Sequence, residues 1–201
     1  MQPPSKYLPA DERRAVTVAA VIELAAQQNP SEITTAAIAK HMSVTQGSLF
    51  RHFANKEAIL ESVMNWVAKR LLARIDKAMF EQETALAALH AAFMTHITFI
   101  SEHPGVPRLL FAELQRKENT APKKLVNALL GQYQQRLQQT LEHGKQKQEF
   151  APELDVEAAA MLFIGSIQGL VVQSIVLGNS DTLLQAAEDI FVLYQRAIEA
   201  H

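Results

Sequence analysis

Residues 34–60 constrain the fold more than any other part of the chain, because their capping and apolar residues predict two short helices, a tight turn and the start of a third helix. The side-chain oxygen of Thr34 or Thr35 can cap the first helix by accepting a bond from a backbone N–H two or three residues on, and Thr45 can cap the second in the same way. Two helices joined by a three- or four-residue turn form a helix-turn-helix, whose second helix fits the major groove of DNA. The stretch therefore predicts a DNA-binding motif.

The spacing of apolar residues supports this motif, with the first helix expected at residues 36–40 and the second at residues 46–53. Four apolar side chains can close a miniature core and four polar ones remain outside. The inner set is Ile38, Val44, Leu49 and Phe53, and the outer set is Gln46, Ser48, Arg51 and His52. Asn55 is predicted to cap a third helix starting at Lys56, where a cation opposes the helix dipole unless an anion such as a phosphate compensates.

Within the stretch, fifteen residues follow one pattern: a Thr, an Ile-Ala pair, a run of the form VS-x-G-x-L-Y-x-H-F and a K-E-x-L ending. They are Thr34, Thr35, Ile38, Ala39, Val44, Thr45, Gly47, Ser48, Leu49, Phe50, His52, Phe53, Lys56, Glu57 and Leu60. In this pattern the stretch resembles the DNA-binding domain of the tetracycline-repressor (TetR) family of bacterial transcription regulators. It departs from the family at Ser43, usually a turn Gly, at Phe50, usually a Tyr whose hydroxyl meets a DNA phosphate, and at Asn29, usually a Gly.

The motif and the resemblance together predict the residues that touch DNA. They are Thr34, Thr35, Thr45, Gln46, Gly47, Ser48, Phe50, Arg51, His52 and Lys56. Gln46, Ser48 and Arg51 are expected to face base edges, with Arg51 suited to guanine and Gln46 to adenine. Contacts to the DNA backbone are expected from Thr35, Thr45, Phe50, His52 and Lys56. The resemblance also implies a sequence-specific regulator, a repressor released from a palindromic operator by a small hydrophobic effector.

The distribution of charge fits this interpretation better than its sum, which is −2 for the 201 residues. Residues 1–56 hold six Lys and Arg against four Asp and Glu, a net charge of +2, so the remainder carries −4. The more positive end is thus the one expected to meet phosphates. The chain has no Cys, and its first ten residues lack the apolar core of a signal peptide. We also expect that no apolar run approaches the roughly 18 residues of a membrane span. The expectation is a cytoplasmic protein without a membrane partner.

Along the chain, apolar periodicity predicts an all-α fold of about nine helices and no strands. We expect a flexible arm at residues 1–9, a helix-turn-helix DNA-binding domain at 10–56, and an effector-binding and dimerisation domain at 57–201. Besides the two motif helices, the predicted helices are 10–28, 55–80, 84–101, 106–117, 122–147, 155–177 and 181–200. No Gly- or Pro-rich linker separates head from body, so movement of the body can pass to the head as a rigid tilt.

The last two predicted helices carry more apolar surface than one small bundle needs. We expect two helices from each subunit to form a four-helix bundle in a two-fold homodimer, the pairing that the resemblance also implies. The predicted interface residues are Leu162, Gly165, Gly169, Val172, Leu184, Ala187, Phe191 and Tyr194. The alternative for the same apolar faces is an intramolecular core.

An effector site is predicted on the faces of the middle helices, where apolar and aromatic residues could line a pocket for a hydrophobic ligand. The candidates are Trp66, Phe93, Met94, Ile97, Phe111, Leu114, Tyr133, Met161 and Gln168. Core packing is the alternative for each of them. A ligand-independent DNA-binding or nucleoid protein, whose body serves only to dimerise, and a helical-bundle enzyme are the alternative functions.

Enzymatic chemistry finds little support in the sequence, which has no Gly-rich phosphate loop, nucleophile elbow or paired carboxylates in an apolar setting. His90, His96 and His103 lie on or beside one predicted helix but lack carboxylate or thiolate company at ligand spacing. We therefore expect no metal, no cofactor and no catalytic residues.

Overall fold

The computed structural model describes residues 9–177 and 183–199, and within them the chain forms nine α-helices and no strand. The helices are α1 (Ala10–Gln27), α2 (Thr35–His41), α3 (Gln46–Phe50), α4 (Lys56–Phe80), α5 (Ala85–Glu102), α6 (Gly105–Leu114), α7 (Ala121–Gln146), α8 (Val156–Leu177) and α9 (Leu183–Ile198). The all-α prediction is confirmed. Residues 1–8 of the predicted arm, residues 178–180 between the last two predicted helices, and the predicted ends of the last helix at 181 and 200 lie outside the described residues.

Most helices begin where a side-chain oxygen can accept an otherwise unpaired backbone N–H. The caps are Thr34 on Ala37, Thr45 on Ser48, Asn55 on Ala58, Thr84 on Ala87, Thr120 on Lys123 and Asp155 on Ala158, at 2.9–3.3 Å. A short 3₁₀ helix at Pro30–Glu32, which the sequence patterns did not predict, begins with Asn29 accepting a bond from the Ser31 N–H at 3.2 Å. Local capping therefore fixes most helix starts.

Two compact units emerge from the contacts between residues. In unit 1, the described part of Met1–Ala68 groups with His103–Val126, and in unit 2 Lys69–Glu102 groups with the described part of Asn127–His201. This grouping differs from the predicted domain border, which follows residue 56. That border divides the chain by function, so it stays a prediction. The helix α4 contributes residues to both units.

Unit 1 is built around α1, against which α2 and α6 pack. Val21, Ala25, Ile38 and Leu49 are all buried there. The first residue of α6, Gly105, approaches α1 so closely that an added Cβ would lie 1.9 Å from the Ile22 carbonyl oxygen. Only glycine fits this crossing, because no backbone atom of α1 can move aside as a flexible side chain could.

Unit 2 is held by α5, α8 and α9, which share an aromatic core. The Phe93 ring lies edge-on to Phe163 with 5.2 Å between centroids, and Phe163 in turn lies edge-on to Tyr194 at 5.5 Å. Such tilted and edge-to-face pairs are the favoured aromatic geometry. The Tyr194 hydroxyl donates to the Ala159 carbonyl oxygen at 3.2 Å, so the polar end of this ring is also satisfied.

Helix α8 is apolar over more than one face, and the prediction that no apolar run approaches the length of a membrane span is wrong. Its best 18-residue window has a mean hydropathy of 1.9, so the helix could cross a membrane by length and composition, although only 22% of that window is buried in the structure. Ser166, Gln168 and Gln173 interrupt the apolar run without adding charge. The same composition serves a helix that packs on other helices, so length alone does not decide between the two environments.

Candidate DNA-binding site

The turn between α2 and α3 closes through a paired set of backbone bonds. The Val44 N–H donates to the Ala39 carbonyl oxygen at 2.9 Å, and the Ser43 N–H donates to that of Lys40 at 3.1 Å. These are the two bonds of a Schellman motif, which requires a left-handed residue just beyond the helix end. Ser43 fills that position with a φ of 55°. A side chain is strained there, since glycine is the residue that adopts this conformation without cost.

The strain at Ser43 leads to a prediction for stability. Ser43→Gly should raise the free energy of unfolding by about 1 kcal/mol, because relief of the left-handed strain exceeds the extra entropy that glycine gains in the unfolded chain. Urea unfolding of the variant measures this change. Ser43→Ala is the matched control and should give no gain, and a Ser43→Gly variant less stable than wild type would contradict the strain argument.

Helix α3 is shorter than predicted, since it ends at Phe50 and not at residue 53. Arg51 is its C-cap, and the N–H groups of His52 and Phe53 both donate to the Leu49 carbonyl oxygen, at 3.0 and 3.2 Å. Phe53 is buried and the chain must then turn to let Asn55 cap α4, so the regular helix cannot continue. Arg51 and His52 therefore lie just past the helix rather than inside it.

All ten predicted DNA-contact residues lie in unit 1, and six of them are exposed. The exposed residues are Thr34, Thr45, Gln46, Gly47, Phe50 and Arg51, and the half-buried ones are Thr35, Ser48, His52 and Lys56. Leu49, on the opposite side of α3, is 2% exposed and anchors the helix to the core of the unit. The polar side of α3 is thus held toward solvent.

A direct hydrogen bond orients the predicted adenine reader. The Gln46 side-chain N–H donates to the Thr35 hydroxyl at 2.9 Å, which links α3 to α2. This bond uses one of the two amide N–H groups and leaves the other together with the carbonyl oxygen. Adenine presents one acceptor and one donor in the major groove, which is the complement of that remaining pair. Thr35 therefore positions the amide of the predicted adenine reader.

Lys56 lies at the first position of α4, where Asn55 caps the helix. Burial lowers the pKa of its amino group; Glu113 opposes this shift and Arg116 adds to it. Glu113 is 5% exposed, accepts a bond from the Thr120 hydroxyl at 3.3 Å and lies 3.6 Å from Arg116. This buried acid was not predicted, and its only signal in the sequence is a carboxylate within the apolar run of α6.

Two other polar groups near the motif have protein partners. The Arg14 guanidinium lies 5.7 Å from the centre of the Phe53 ring, a cation–π distance, so it packs on the motif. His41 in α2 contacts Glu23 in α1, with 2.8 Å between Nε2 and Oε2. Both contacts tie the motif to α1.

The predicted dimer residues divide into two groups. Leu162, Gly165, Gly169 and Val172 lie on an exposed stripe of α8, and Leu184 on α9 is exposed as well. The other three, which are Ala187, Phe191 and Tyr194, are at most 3% exposed and belong to the core of unit 2. Their assignment to the interface is corrected accordingly, because a side chain enclosed by its own protomer has no surface left for a partner.

The predicted effector residues fall in both units. Phe93, Ile97 and Tyr133 are buried in unit 2 and Met94 is half-buried there, whereas Trp66, Phe111 and Leu114 are half-buried residues of unit 1. Met161 and Gln168 are exposed on α8, in the same stripe as the predicted dimer residues, and are therefore corrected from pocket to surface. An open cleft of about 400 Å³ in unit 2, which includes Asp76 and Arg136, contains none of the predicted effector residues.

The three histidines considered as metal ligands have other surroundings. His90 lies 2.8 Å from Glu188, His96 lies beside the Tyr133 ring, and the His103 ring lies edge-on to Trp66 at 5.2 Å. Among the residues that the structure describes, no group of three or more His, Cys, Asp or Glu side chains is arranged to hold a metal ion.

Comparison with known sequences agrees with this arrangement. Residues 18–63 match the family described as bacterial regulatory proteins, tetR family, and residues 110–190 match the tetracyclin repressor-like C-terminal domain. The chain is 25% identical over 161 residues to the nucleoid occlusion factor SlmA of Marinomonas sp. (strain MWYL1), covering 80% of this chain and 82% of that protein. The SlmA of Vibrio cholerae is 26% identical over 158 residues, covering 78% and 81%.

Solved structures with the same fold include several regulators. The fatty acid degradation regulator FadR from Bacillus halodurans superposes with a TM-score of 0.82 at 22% identity, covering 95% of this chain and 97% of that one. The ketosteroid transcriptional regulator KstR2 of Mycobacterium tuberculosis gives 0.80 at 20% identity, with 94% and 96% covered. FadR from Bacillus subtilis, solved in complex with stearoyl-CoA, gives 0.77 at 23% identity, with 90% and 96% covered.

Proposed function

The chain belongs to the tetracycline-repressor family of bacterial regulators, and from this premise we propose that it is a repressor that leaves a palindromic operator when a small hydrophobic effector binds. Its DNA target would make the cytoplasm its place of action. The observation that carries the DNA-binding half is the exposed polar side of α2 and α3. There Thr34 and Thr45 cap the two helices, and Thr35 orients the Gln46 amide.

Two substitutions test the proposed DNA contacts. Arg51→Ala should weaken operator binding by roughly 1–3 kcal/mol and relax the preference at one base pair of each half-site. Lys56→Ala should weaken all sequences alike and reduce the slope of log affinity against log salt by about 1 per protomer, because it removes one phosphate contact. Fluorescence anisotropy with the operator and with single-base variants, at several salt concentrations, separates the two effects.

The control is Lys77→Ala, which removes an exposed lysine of unit 2 that faces Glu81. It should bind the operator like wild type. Wild-type affinity in both Arg51→Ala and Lys56→Ala would overturn the proposed interface.

A homodimer is the proposed assembly, and the exposed apolar stripe of α8 supports it. Leu162 and Val172 are 52% and 45% exposed, although both are aliphatic. Gly165 and Gly169 lie between them, and an added Cβ at either glycine would meet nothing within 4 Å. Small residues flanked by aliphatic ones let another helix approach closely. If a second copy packs the same stripe of its α8 against this one, the interface is isologous. The two-fold axis of such a dimer would match a palindromic operator.

The effector half of the proposal draws on the regulators that share the fold. One is described as a ketosteroid regulator and another was solved with stearoyl-CoA, which makes an apolar effector the first class to test here. Helix α4 carries Lys56 at its start and continues without a break to Phe80. A ligand that favours a second position of this helix would displace the proposed phosphate contact. Moving the population from mostly competent to mostly incompetent takes about 5.5 kcal/mol of differential binding.

A second candidate function is a DNA-binding nucleoid protein that needs no effector, and the SlmA relatives favour it because they are described as nucleoid occlusion factors. Reciprocal titration separates the two. Linkage requires that operator DNA weaken effector binding by the same factor as the effector weakens DNA binding. Trp66, the only Trp in the chain, can report a ligand by its fluorescence. The titration follows Trp66 fluorescence with an apolar ligand such as decan-2-one, with and without saturating operator. If the operator leaves this titration unchanged, the nucleoid candidate is favoured.

A further inference from the structure

Two buried polar atoms in unit 2 have no hydrogen-bond partner among the described residues. They are Nδ1 of His96 on α5 and the hydroxyl oxygen of Tyr133 on α7. We propose that these atoms form the polar anchor of the effector site and bind one neutral oxygen, a carbonyl or a hydroxyl, on an otherwise apolar ligand. This inference rests on the proposed effector function and names the chemistry of that ligand.

The two rings that carry these polar atoms lie next to each other. Their centroids are 5.4 Å apart and the ring planes are inclined by 49°. The Tyr133 ring also lies edge-on to Phe163, with 6.2 Å between centroids, and Phe163 contacts Phe93. The anchor is therefore surrounded by aromatic rings that would pack against an apolar ligand, as the walls of ligand pockets usually do.

Another buried polar group of the same unit has a partner, which sets these two atoms apart. The Tyr194 hydroxyl donates to the Ala159 carbonyl oxygen at 3.2 Å. A buried polar group without a partner costs free energy, so native structures rarely keep one unless water or a ligand completes it. Two such atoms on neighbouring rings indicate a shared missing partner.

His96 is half-buried as a residue, while its Nδ1 atom is buried. Burial lowers the pKa of the ring to about 4. The proposed ligand oxygen would therefore lie on the buried side of the ring, beside Nδ1.

The charge of the anchor excludes an ionic ligand group. His96 is neutral at pH 7, since burial alone lowers its pKa and no charged neighbour contributes. Burial, with a smaller contribution from Tyr194, raises the pKa of Tyr133, so its hydroxyl stays protonated. A carboxylate or phosphate placed here would be a buried charge without a counter-charge. A carbonyl oxygen can accept from the Tyr133 hydroxyl and from a protonated Nδ1, whereas a ligand hydroxyl can donate to an unprotonated Nδ1 and accept from Tyr133.

A displacement assay with matched probes tests the anchor. N-phenyl-1-naphthylamine, an apolar fluorescent probe, is bound to the dimer and displaced with decan-2-one, decan-2-ol or decanoate. Wild type should bind the ketone or the alcohol about 10-fold more tightly than Tyr133→Phe and His96→Phe do, since each variant loses one hydrogen bond to the ligand oxygen. Decanoate should bind weakly and equally to all three proteins. The better of ketone and alcohol identifies which group the anchor accepts.

Tyr194→Phe is the matched control, because it also removes one buried tyrosine hydroxyl from the aromatic core but one that already has a partner. It should lower the melting temperature and leave the ketone and alcohol affinities unchanged. Tyr133→Phe should melt no lower than wild type, because its hydroxyl has no bond to lose.

Each remaining outcome has a separate meaning. Ketone and alcohol affinities that are equal in wild type, Tyr133→Phe and His96→Phe would overturn the anchor while leaving the effector function in place. Tighter binding of decanoate that depends on both residues would overturn the neutral class. If wild type binds neither the fluorescent probe nor any decane derivative, the proposed effector function fails together with the anchor.

Discussion

The substitution Gly169→Glu is expected to convert the proposed homodimer into folded monomers and to abolish specific operator binding. Gly169 lies on the exposed stripe of α8, and its Cβ position is open, so the protomer has no contact to lose. In the proposed interface two carboxylates would face each other across the two-fold axis without a counter-charge. A buried carboxylate without a counter-charge costs about 3–5 kcal/mol. This cost weakens self-association by more than about 100-fold.

Sedimentation velocity measures the mass, circular dichroism the fold, and anisotropy the operator affinity of this variant. Gly131→Glu is the matched control, since Gly131 is an exposed glycine of α7 whose Cβ position is equally open and lies outside the stripe. It should remain dimeric and bind DNA. Phe191→Asp cannot serve the same purpose, because Phe191 is a core residue and its loss would unfold the protomer.

A Gly169→Glu protein that still dimerises would remove the proposed interface. A monomeric wild type would remove it too. If that monomer binds vesicles of phosphatidylglycerol and phosphatidylcholine through α8, the hydropathy of this helix would belong to a membrane contact instead.

Acid should destabilise the protein strongly through His96. The pKa of this histidine is about 4 in the folded protein against 6.5 for the free side chain, so the unfolded chain binds a proton between these values that the folded one does not. The free energy of unfolding therefore falls as the pH is lowered from about 6.5 toward about 4. The total loss is roughly 3 kcal/mol, since each pH unit contributes about 1.4 kcal/mol.

Urea unfolding at pH 7 and at pH 4.5 measures this effect. Wild type should lose roughly 2–3 kcal/mol more than His96→Phe does between the two values. His143→Gln, which alters an exposed histidine of α7, should follow wild type. The same pH dependence in wild type and His96→Phe would show that His96 is not buried in its neutral form.

The helix starts were predictable because capping is a local interaction. Thr34, Thr45 and Asn55 each bond to a backbone N–H three residues on, so the sequence alone contains both partners. The end of α3 was not predictable in the same way. It depends on the burial of Phe53 and on the turn into α4, which involve residues outside the helix.

Apolar periodicity could not assign the two faces of α8. One stripe, which includes Phe163 and Ile167, is buried, while Leu162 and Val172 lie on the exposed one, and both stripes are apolar. Spacing alone could not say which face meets the protomer's own core. For the same reason Phe191 and Tyr194 were predicted in the interface although they pack inside unit 2. Tyr133 was among the predicted effector residues, but its pairing with His96 was not predicted, because the two residues come from different helices.

Exposed apolar surface on α8 also has a consequence for dosage. In an obligate homodimer, stability cannot be separated from protomer concentration. If the operator accepts only the paired form, its occupancy rises with the square of the protomer concentration wherever that concentration lies below the dimer dissociation constant. At low occupancy, a twofold drop in protomer concentration would then lower the operator occupancy about fourfold, so dilution during growth would release the proposed repressor without a ligand.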